Sequence, residues 1–347
     1  MLEASLGEPQ HHESLTVFPI LAEVSRELPY ILLADALASG VLTVGEKNGG
    51  QVPFLLARNT GSDPVLILDG EQLIGARQNR MTNRSILLAP KSTTEIPVSC
   101  MEQGRWHFVG DHFAAAPQHA PSKVRRRARE TEATASYAAE ARSPGARSSY
   151  RDLAGAQGEV WEEIRMMGDI LGGASPTGAL DSIYRHRHRD TTEWLKAYPL
   201  LPHQMGLLAF IGSSPLGMDV VGSPVLFTRL HQRILTGYVL DALEGMAASG
   251  GRKPRPAPLD RAERFIEAVR EAERTPSDSV GMGEYRILRG TALGAELVNQ
   301  DQLVHLSAFP AREERDSESG TREAGHEGPD SPRGTPIARP SQRRRRF

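Results

Sequence analysis

Cysteine is all but missing: Cys100 is the only one in 347 residues. That excludes an intramolecular disulfide framework and suits a reducing compartment. An excess of either charge is missing too. The formal net charge is -2 and the pI is near 6.6, so the field of the whole protein steers it toward neither nucleic acid nor an acidic membrane. No apolar run approaches the roughly 20 residues that a spanning helix needs. Residues 1–14, MLEASLGEPQHHES, lack a basic start followed by an apolar core, so no signal peptide is read there. These absences give the expectation of a soluble, cytoplasmic protein. The common catalytic signatures are absent as well: no Walker-type phosphate loop, no Gly-x-Gly-x-x-Gly after a strand, no His-Glu-x-x-His and no Gly-x-Ser-x-Gly elbow. No solenoid-type repeat is found.

What is present is enough apolar material for a core: 39% of residues are hydrophobic against 24% charged, the balance of an ordinary globular chain. The stretch at 65–108 is the densest in candidate function. Apolar runs at 65–68, 85–88 and 95–100 alternate there with Asp69-Gly70-Glu71, Gln78-Asn79-Arg80 and Glu102-Gln103-Gly104-Arg105-Trp106. A sheet needs the runs but not the polar surplus at their ends.

Taken in order, 1–14 reads as a flexible lead-in, 16–20 as a strand, and 30–39 as a short helix closed by Gly40. Strands at 41–45 and 51–58 pair across a Gly-rich turn, and 65–68 follows as the next antiparallel partner. The segment 73–80 is read as one extended strand with Gln78 and Arg80 on the same face at a sheet rim. Residues 84–88 and 94–100 form a hairpin, in which Pro97 implies an edge or a bulge. Residues 111–149, rich in Ala, Arg, Glu, Ser and Pro, are read as a mobile arm or crossover, most plainly a solvated linker with basic residues; 123–142 is a candidate exposed helix that lacks a wide apolar stripe. A helix at 150–171 carries Gln157 on its apolar face. A second helix covers 179–198, and a strand pair covers 205–212 and 216–221. Ser223-Pro224 opens a helix to Leu243. A helix at 259–274 is followed by strands at 284–288, 290–297 and 302–309, with Val304 and Leu306 on one face and His305 on the other. Beyond 311 the chain is too polar to bury a core and is expected to be disordered.

The polar clusters suggest a site. Arg80 and Arg105 offer planar forks for phosphate. Gln78 and Asn79 suit a ribose or amide, and Trp106 suits stacking on a base. Glu71 and Glu102 are candidates for general base and acid, if burial raises one pKa. Cys100 is a candidate nucleophile only if a base and a positive environment adjoin it; a small buried core residue is the plainer reading. Gln157 and His305 are candidate supporting residues. His107, Asp111, His112 and His119 match no standard metal spacing. No cofactor is predicted, and metal dependence is left open.

At LDGEQLIGARQNR and IPVSCMEQGRW the sequence resembles the ADP-ribosylglycohydrolase and rhodanese-phosphatase-associated protein domain family. The likeness runs through Gln157–Trp161, Ser175-Pro176-Thr177-Gly178-Ala179, 206–221 and LVHLSAF. The family is named for its genomic company. The resemblance implies a domain that binds or processes an ADP-ribose-like or NAD-derived nucleotide, working beside ADP-ribose-processing enzymes. It implicates Glu71, Gln78, Asn79, Arg80, Cys100, Glu102, Arg105 and Trp106. The alternative is a non-catalytic interaction or sensor module beside the same enzymes. The expected architecture is one α+β domain over 15–310: a β-rich, sandwich-like first third, a helical middle and a second small sheet near the end.

Overall fold

A computed structural model describes residues 4–23, 27–47, 53–105, 110, 112–143 and 157–311. Trp106, His107, Asp111, Leu153 and the expected tail lie outside these residues. In chain order the first strands are β1 (Ser5–Leu6), β2 (Gln10–His12), β3 (Leu15–Leu21) and β4 (Ile31–Leu32), then helix α1 (Leu33–Ala38). The β-rich part continues with β5 (Leu42–Glu46), β6 (Phe54–Asn59), β7 (Val65–Ile67), β8 (Glu71–Gly75), β9 (Arg80–Thr82), β10 (Ile86–Leu88), β11 (Ser92–Cys100) and β12 (Phe113–His119). Helices α2 (Ser122–Arg142), α3 (Gln157–Leu171), α4 (Leu180–His186) and α5 (His188–Leu195) follow. The remainder is β13 (Gln204–Ile211), β14 (Ser214–Val221), α6 (Pro224–Ala248), α7 (Leu259–Glu271), β15 (Glu273–Ser277), β16 (Glu284–Arg289), β17 (Ala292–Asn299) and β18 (Gln302–Pro310). The fold class is α+β. No described helix is long and apolar enough to cross a membrane.

Among the described residues three sheets surround three main hydrophobic cores, with a small fourth cluster of Tyr285, Ile287 and Ala295. The largest has nine strands, ordered β1-β3-β13-β14-β18-β17-β16-β15, with β2 also on β3. The strands expected as a small closing sheet thus join the N-terminal strands in one large sheet, and 1–14 contributes two strands rather than a loose lead-in. Alternation along its strands divides its two faces. Phe18, Leu208, Phe210 and Val220 pack against Phe265 and Val269 of α7. Val17, Leu207, Ala209 and Val221 pack on the other side, against α2, α3, α4 and α6. Leu66, Leu68 and Leu87, from in and beside the three-stranded sheet β10-β7-β4, join that helical core. The sheet's other face, with Val65, Ile67, Ile86 and Leu88, meets Val44, Leu55, Ile96 and Val98 of the six-stranded sheet β12-β8-β9-β11-β6-β5. Each such fully buried aliphatic side chain contributes about 1.5–3 kcal/mol.

Helix α6 begins as its sequence dictates, with Ser223 accepting the Leu226 N–H and Pro224 in the first turn. Several expected pairings are corrected. β7 pairs with β10 and β4, not with β6. β10 forms no hairpin with β11, which instead pairs with β6 over Ser92–Pro97 and with β9 over Val98–Cys100. Pro97, expected at an edge or bulge, sits where β11 passes from one partner to the other. The strand expected over 73–80 breaks at Gly75 (φ 136°) and Ala76 (φ 43°), so Gln78 and Arg80 do not share one face of a continuous strand. In β18 a register shift opposite Leu297 and Val298 inserts Val304 as an extra residue. Val304 therefore joins the helical core while Leu306 packs on the α7 side, contrary to simple alternation.

The helix considered over 123–142 is present as α2, but it is buried along one face rather than solvated, and β12 before it completes the six-stranded sheet. That face carries Val124, Arg125, Ala128, Arg129, Glu132 and Ser136. Its spacing is helical, but three of the nine buried residues of α2, Arg125, Arg129 and Glu132, are charged.

Candidate functional site

The corner between β8 and β9 builds the first polar cluster. The Gly75 N–H donates to Asn79 Oδ1 at 3.3 Å, which closes the loop. Arg105 clamps it from outside: Nη2 donates to Asn79 Oδ1 at 3.0 Å and Nη1 to the Ala76 carbonyl at 3.1 Å. Its Nε donates to Glu102 Oε2 at 2.7 Å, and the other Glu102 oxygen accepts from Thr177 Oγ1 at 2.8 Å. Gly104 packs so closely on Thr177 that an added Cβ would lie 2.9 Å from its Cα. The Gly104 requirement and the Ser175–Gly178 turn therefore belong to one interface.

Beneath this rim lies Arg80, with no exposed surface. Its Nη1 donates to Gln78 Oε1 at 2.9 Å and contacts Cys100 Sγ at 2.8 Å, while the thiol donates to Gln78 Oε1 at 3.0 Å. Gln78 Nε2 reaches the Glu102 carbonyl at 2.9 Å. Gln157, at the start of α3, bonds the Cys100 backbone twice: Oε1 accepts its N–H at 2.7 Å and Nε2 donates to its carbonyl at 2.9 Å. Among the described residues Arg80 Nε and Nη2 have no hydrogen-bond partner, nor has Glu46 Oε2. The nearest approach of Nη2 to Glu46 is 3.9 Å. Burial lowers the Arg80 pKa from its ordinary value. Burial also pushes the Cys100 thiol up to about 11, although Arg80 pulls the other way. Cys100 thus lacks the lowered pKa that a nucleophile needs.

A second buried cluster joins α2 to the sheets. Arg125 donates to Asp219 at 2.9 and 2.6 Å and to Asp69 at 3.0 Å. Asp219 also accepts from Tyr238 at 2.6 Å, and Asp69 accepts from Ser307 at 3.2 Å. Further along α2, Glu132 pairs with Arg129 and Arg84, and Arg129 bonds Tyr285. Three carboxylates therefore face three guanidiniums with alternating sign. Burial raises the Asp219 pKa, but the charge and hydrogen bonds of Arg125 outweigh it and hold Asp219 well below the usual range. The same competition lowers Asp69.

His305 lies here, 1% exposed, with Nδ1 at 2.7 Å from Ser85 Oγ and Nε2 at 3.3 Å from Asp219 Oδ1. Asp69, Asp219 and His305 bring ligand atoms within 4.8 Å of one another, the one such metal-type grouping among the described residues. They do not fit a divalent metal. Arg125 already donates into both carboxylates, and a dication would leave a balanced interior set with two uncompensated charges.

The predicted site residues therefore divide. Gln78, Asn79, Arg80, Cys100, Glu102, Arg105 and Gln157 converge. Glu71 does not join them: its carboxylate accepts the Leu68 N–H at 2.9 Å and pairs with Arg233 at 2.9 Å, and burial raises its pKa. His305, expected to be half-buried and able to complete the site, belongs to the α2 cluster instead. His119 is fully buried and His112 exposed, so they do not share a site. Sequence reasoning missed Glu46, which had been absorbed into a turn. It also missed Arg125, Arg129 and Glu132, whose signal was only a helical spacing of charges.

One family model matches residues 3–309, nearly all of the described chain. No curated protein and no solved structure is detectably similar. The matched span takes in both polar clusters and every sheet, and the chain belongs to the ARG and Rhodanese-Phosphatase-superfamily-associated Protein domain family.

Proposed function

We propose that the protein is an accessory, non-catalytic domain that binds an ADP-ribose-like or NAD-derived nucleotide at the Arg80–Arg105 cluster. The family's name records association with other enzymes, which suits an accessory role. The observation that carries the reading is Arg80. It is held by Gln78 and Cys100 at the centre of the cluster, yet among the described residues two of its buried nitrogens have no hydrogen-bond partner, Nη2 coming only within 3.9 Å of Glu46. An unmet buried donor costs about 1–3 kcal/mol, and such groups in a convergent polar site suit a ligand. Catalysis is disfavoured by the neighbours. Glu102 is engaged through both oxygens, Glu71 stands in another network, and the Cys100 thiol is pushed up to about 11 by burial.

The test is calorimetric titration of wild type and Arg105→Gln with ADP-ribose, NAD and AMP, with chromatography of the incubated nucleotides. Saturable binding is expected, weakened at least about tenfold in the folded variant, with every nucleotide recovered intact. Absence of binding by wild type across the panel overturns the nucleotide reading; turnover overturns the non-catalytic one.

A further inference from the structure

The unpartnered atoms around Arg80 have a chemical pattern of their own. We infer that the Glu46–Arg80 pair recognises a vicinal diol of a sugar, not a phosphate. This rests on the nucleotide-binding reading and specifies which part of the ligand the cluster reads.

Glu46 is the last residue of β5, an edge strand of the six-stranded sheet. Among the described residues its Oε1 accepts one long hydrogen bond, from the Arg77 N–H at 3.3 Å, and its Oε2 has no hydrogen-bond partner. Arg80 Nη2 lies 3.9 Å from Glu46 Oε1, and among the described residues neither Nη2 nor Nε has a hydrogen-bond acceptor. The pair therefore offers N–H donors on one side and a carboxylate acceptor on the other. Each hydroxyl of a cis-diol satisfies such a pair at once, accepting from the guanidinium and donating to the carboxylate. A phosphate does not. Its oxygens are acceptors, carrying few protons above a second pKa near about 6, and Glu46 would repel them.

The local charge agrees. Arg80 and Arg105 are matched by Glu46 and Glu102, so these four groups hold no excess positive charge for an anion. Gln78 and Asn79 are poorly placed to read a ribose, because their oxygens are already used. Gln78 Oε1 takes Arg80 and the Cys100 thiol, and Asn79 Oδ1 takes Gly75 and Arg105. Entry of the diol requires Glu46 to swing away from Arg80. Its place at a strand end, its 3.9 Å separation from Nη2 and its single long hydrogen bond permit that movement.

The experiment is titration of wild type, Glu46→Gln and Glu46→Asp with ADP-ribose, ribose 5-phosphate, 2-deoxyribose 5-phosphate and inorganic pyrophosphate. A urea unfolding curve is recorded for each variant. Wild type is expected to bind ADP-ribose and ribose 5-phosphate. The deoxy sugar should bind at least about tenfold more weakly, because a site built for a hydroxyl rejects its absence. Pyrophosphate should not compete. Glu46→Gln should lose at least about tenfold in ADP-ribose affinity and discriminate little between the two sugars; Glu46→Asp should retain the discrimination in part. Equal binding of the two sugars by wild type, competition by pyrophosphate, or undiminished ADP-ribose binding by folded Glu46→Gln overturns the diol assignment and leaves nucleotide binding standing. Failure of wild type to bind both ADP-ribose and ribose 5-phosphate overturns both.

Discussion

Asp241 gives this fold a stability that should fall as pH rises from the ordinary carboxylate range up to neutrality. The residue is fully buried on α6, and its Oδ2 accepts the Ser122 N–H at 2.7 Å, where α2 begins. Lys123 and Glu244 pair beside it. Burial pushes the Asp241 carboxyl from 3.8 up to about 7; Lys123 and Ser122 pull it down and Glu244 pushes it further up. Below the unfolded pKa both states hold the proton and no difference arises. Between the two values the native form holds a proton that the unfolded chain has lost. Stability then falls by about 1.36 kcal/mol per pH unit, or roughly 4 kcal/mol across the interval. Asp241→Asn removes this titration from both states. Asp219 and Asp69, held low, have the opposite sense: their stabilisation is present above the unfolded carboxylate pKa and is lost as pH falls. They are the same in both proteins and cancel in the difference. Urea unfolding of wild type and Asp241→Asn at about pH 4.5 to 8 is the assay. The variant should gain roughly 3 kcal/mol relative to wild type between about pH 4.5 and 7 and level off above that. The amide's own hydrogen bonding adds only a pH-independent offset. Parallel stability curves would refute the reasoning.

Two further outcomes follow from packing and burial. Gly70 has φ +85°, and a Cβ there would lie 2.6 Å from both Arg125 Cδ and His119 Cε1. Gly70→Ala should cost more than about 2 kcal/mol in urea unfolding, against about 1 kcal/mol for Gly40→Ala. Gly40 has a similar φ of +74° but nothing within 4 Å, so equal losses would show that the contact with Arg125 and His119 does not matter. Cys100, with no exposed surface and a pKa near 11, should be about one part in a thousand thiolate at pH 8. Labelling by a thiol-specific disulfide reagent should therefore be slow and accelerate with urea in step with unfolding. Rapid labelling of the native protein would contradict the burial assigned to the thiol.

Elements built from alternating apolar residues were legible in the sequence. The strand pair around 205–221 and the three closing strands are present as expected, as is the Ser223-capped helix. The failures have specific causes. β15, ERTPS, carries no apolar pattern because it is an edge strand and contains Pro276. β10 and β11 are neighbours in sequence but lie in different sheets, and local spacing does not encode that. α2 was read as solvated because an apolar stripe was sought. Its buried face uses Arg125, Arg129 and Glu132, whose partners Asp219, Asp69 and Arg84 come from distant parts of the chain.

The same limit explains the site. Polar density marked Gln78, Asn79, Arg80, Glu102 and Arg105, and they do converge. It marked Glu71 equally, in the Asp69-Gly70-Glu71 cluster, because polar density along the chain carries no news of the corner at Gly75 and Ala76. That corner sends the chain back on itself: Leu73 pairs with Arg80, while Glu71 reaches Arg233 on α6 and Arg80 reaches Cys100. One motif thus feeds two buried networks through the two short strands that follow each other at the corner. The Glu71 side ties the β-rich part to α6, and the Arg80 side ties it to α3 through Cys100 and Gln157. Unmet donors remain at Arg80, whereas both Glu71 oxygens have partners. On physical grounds, then, the Glu71 half of the motif serves the fold, and the Arg80 half is where a ligand would improve on the hydrogen bonds the protein makes alone.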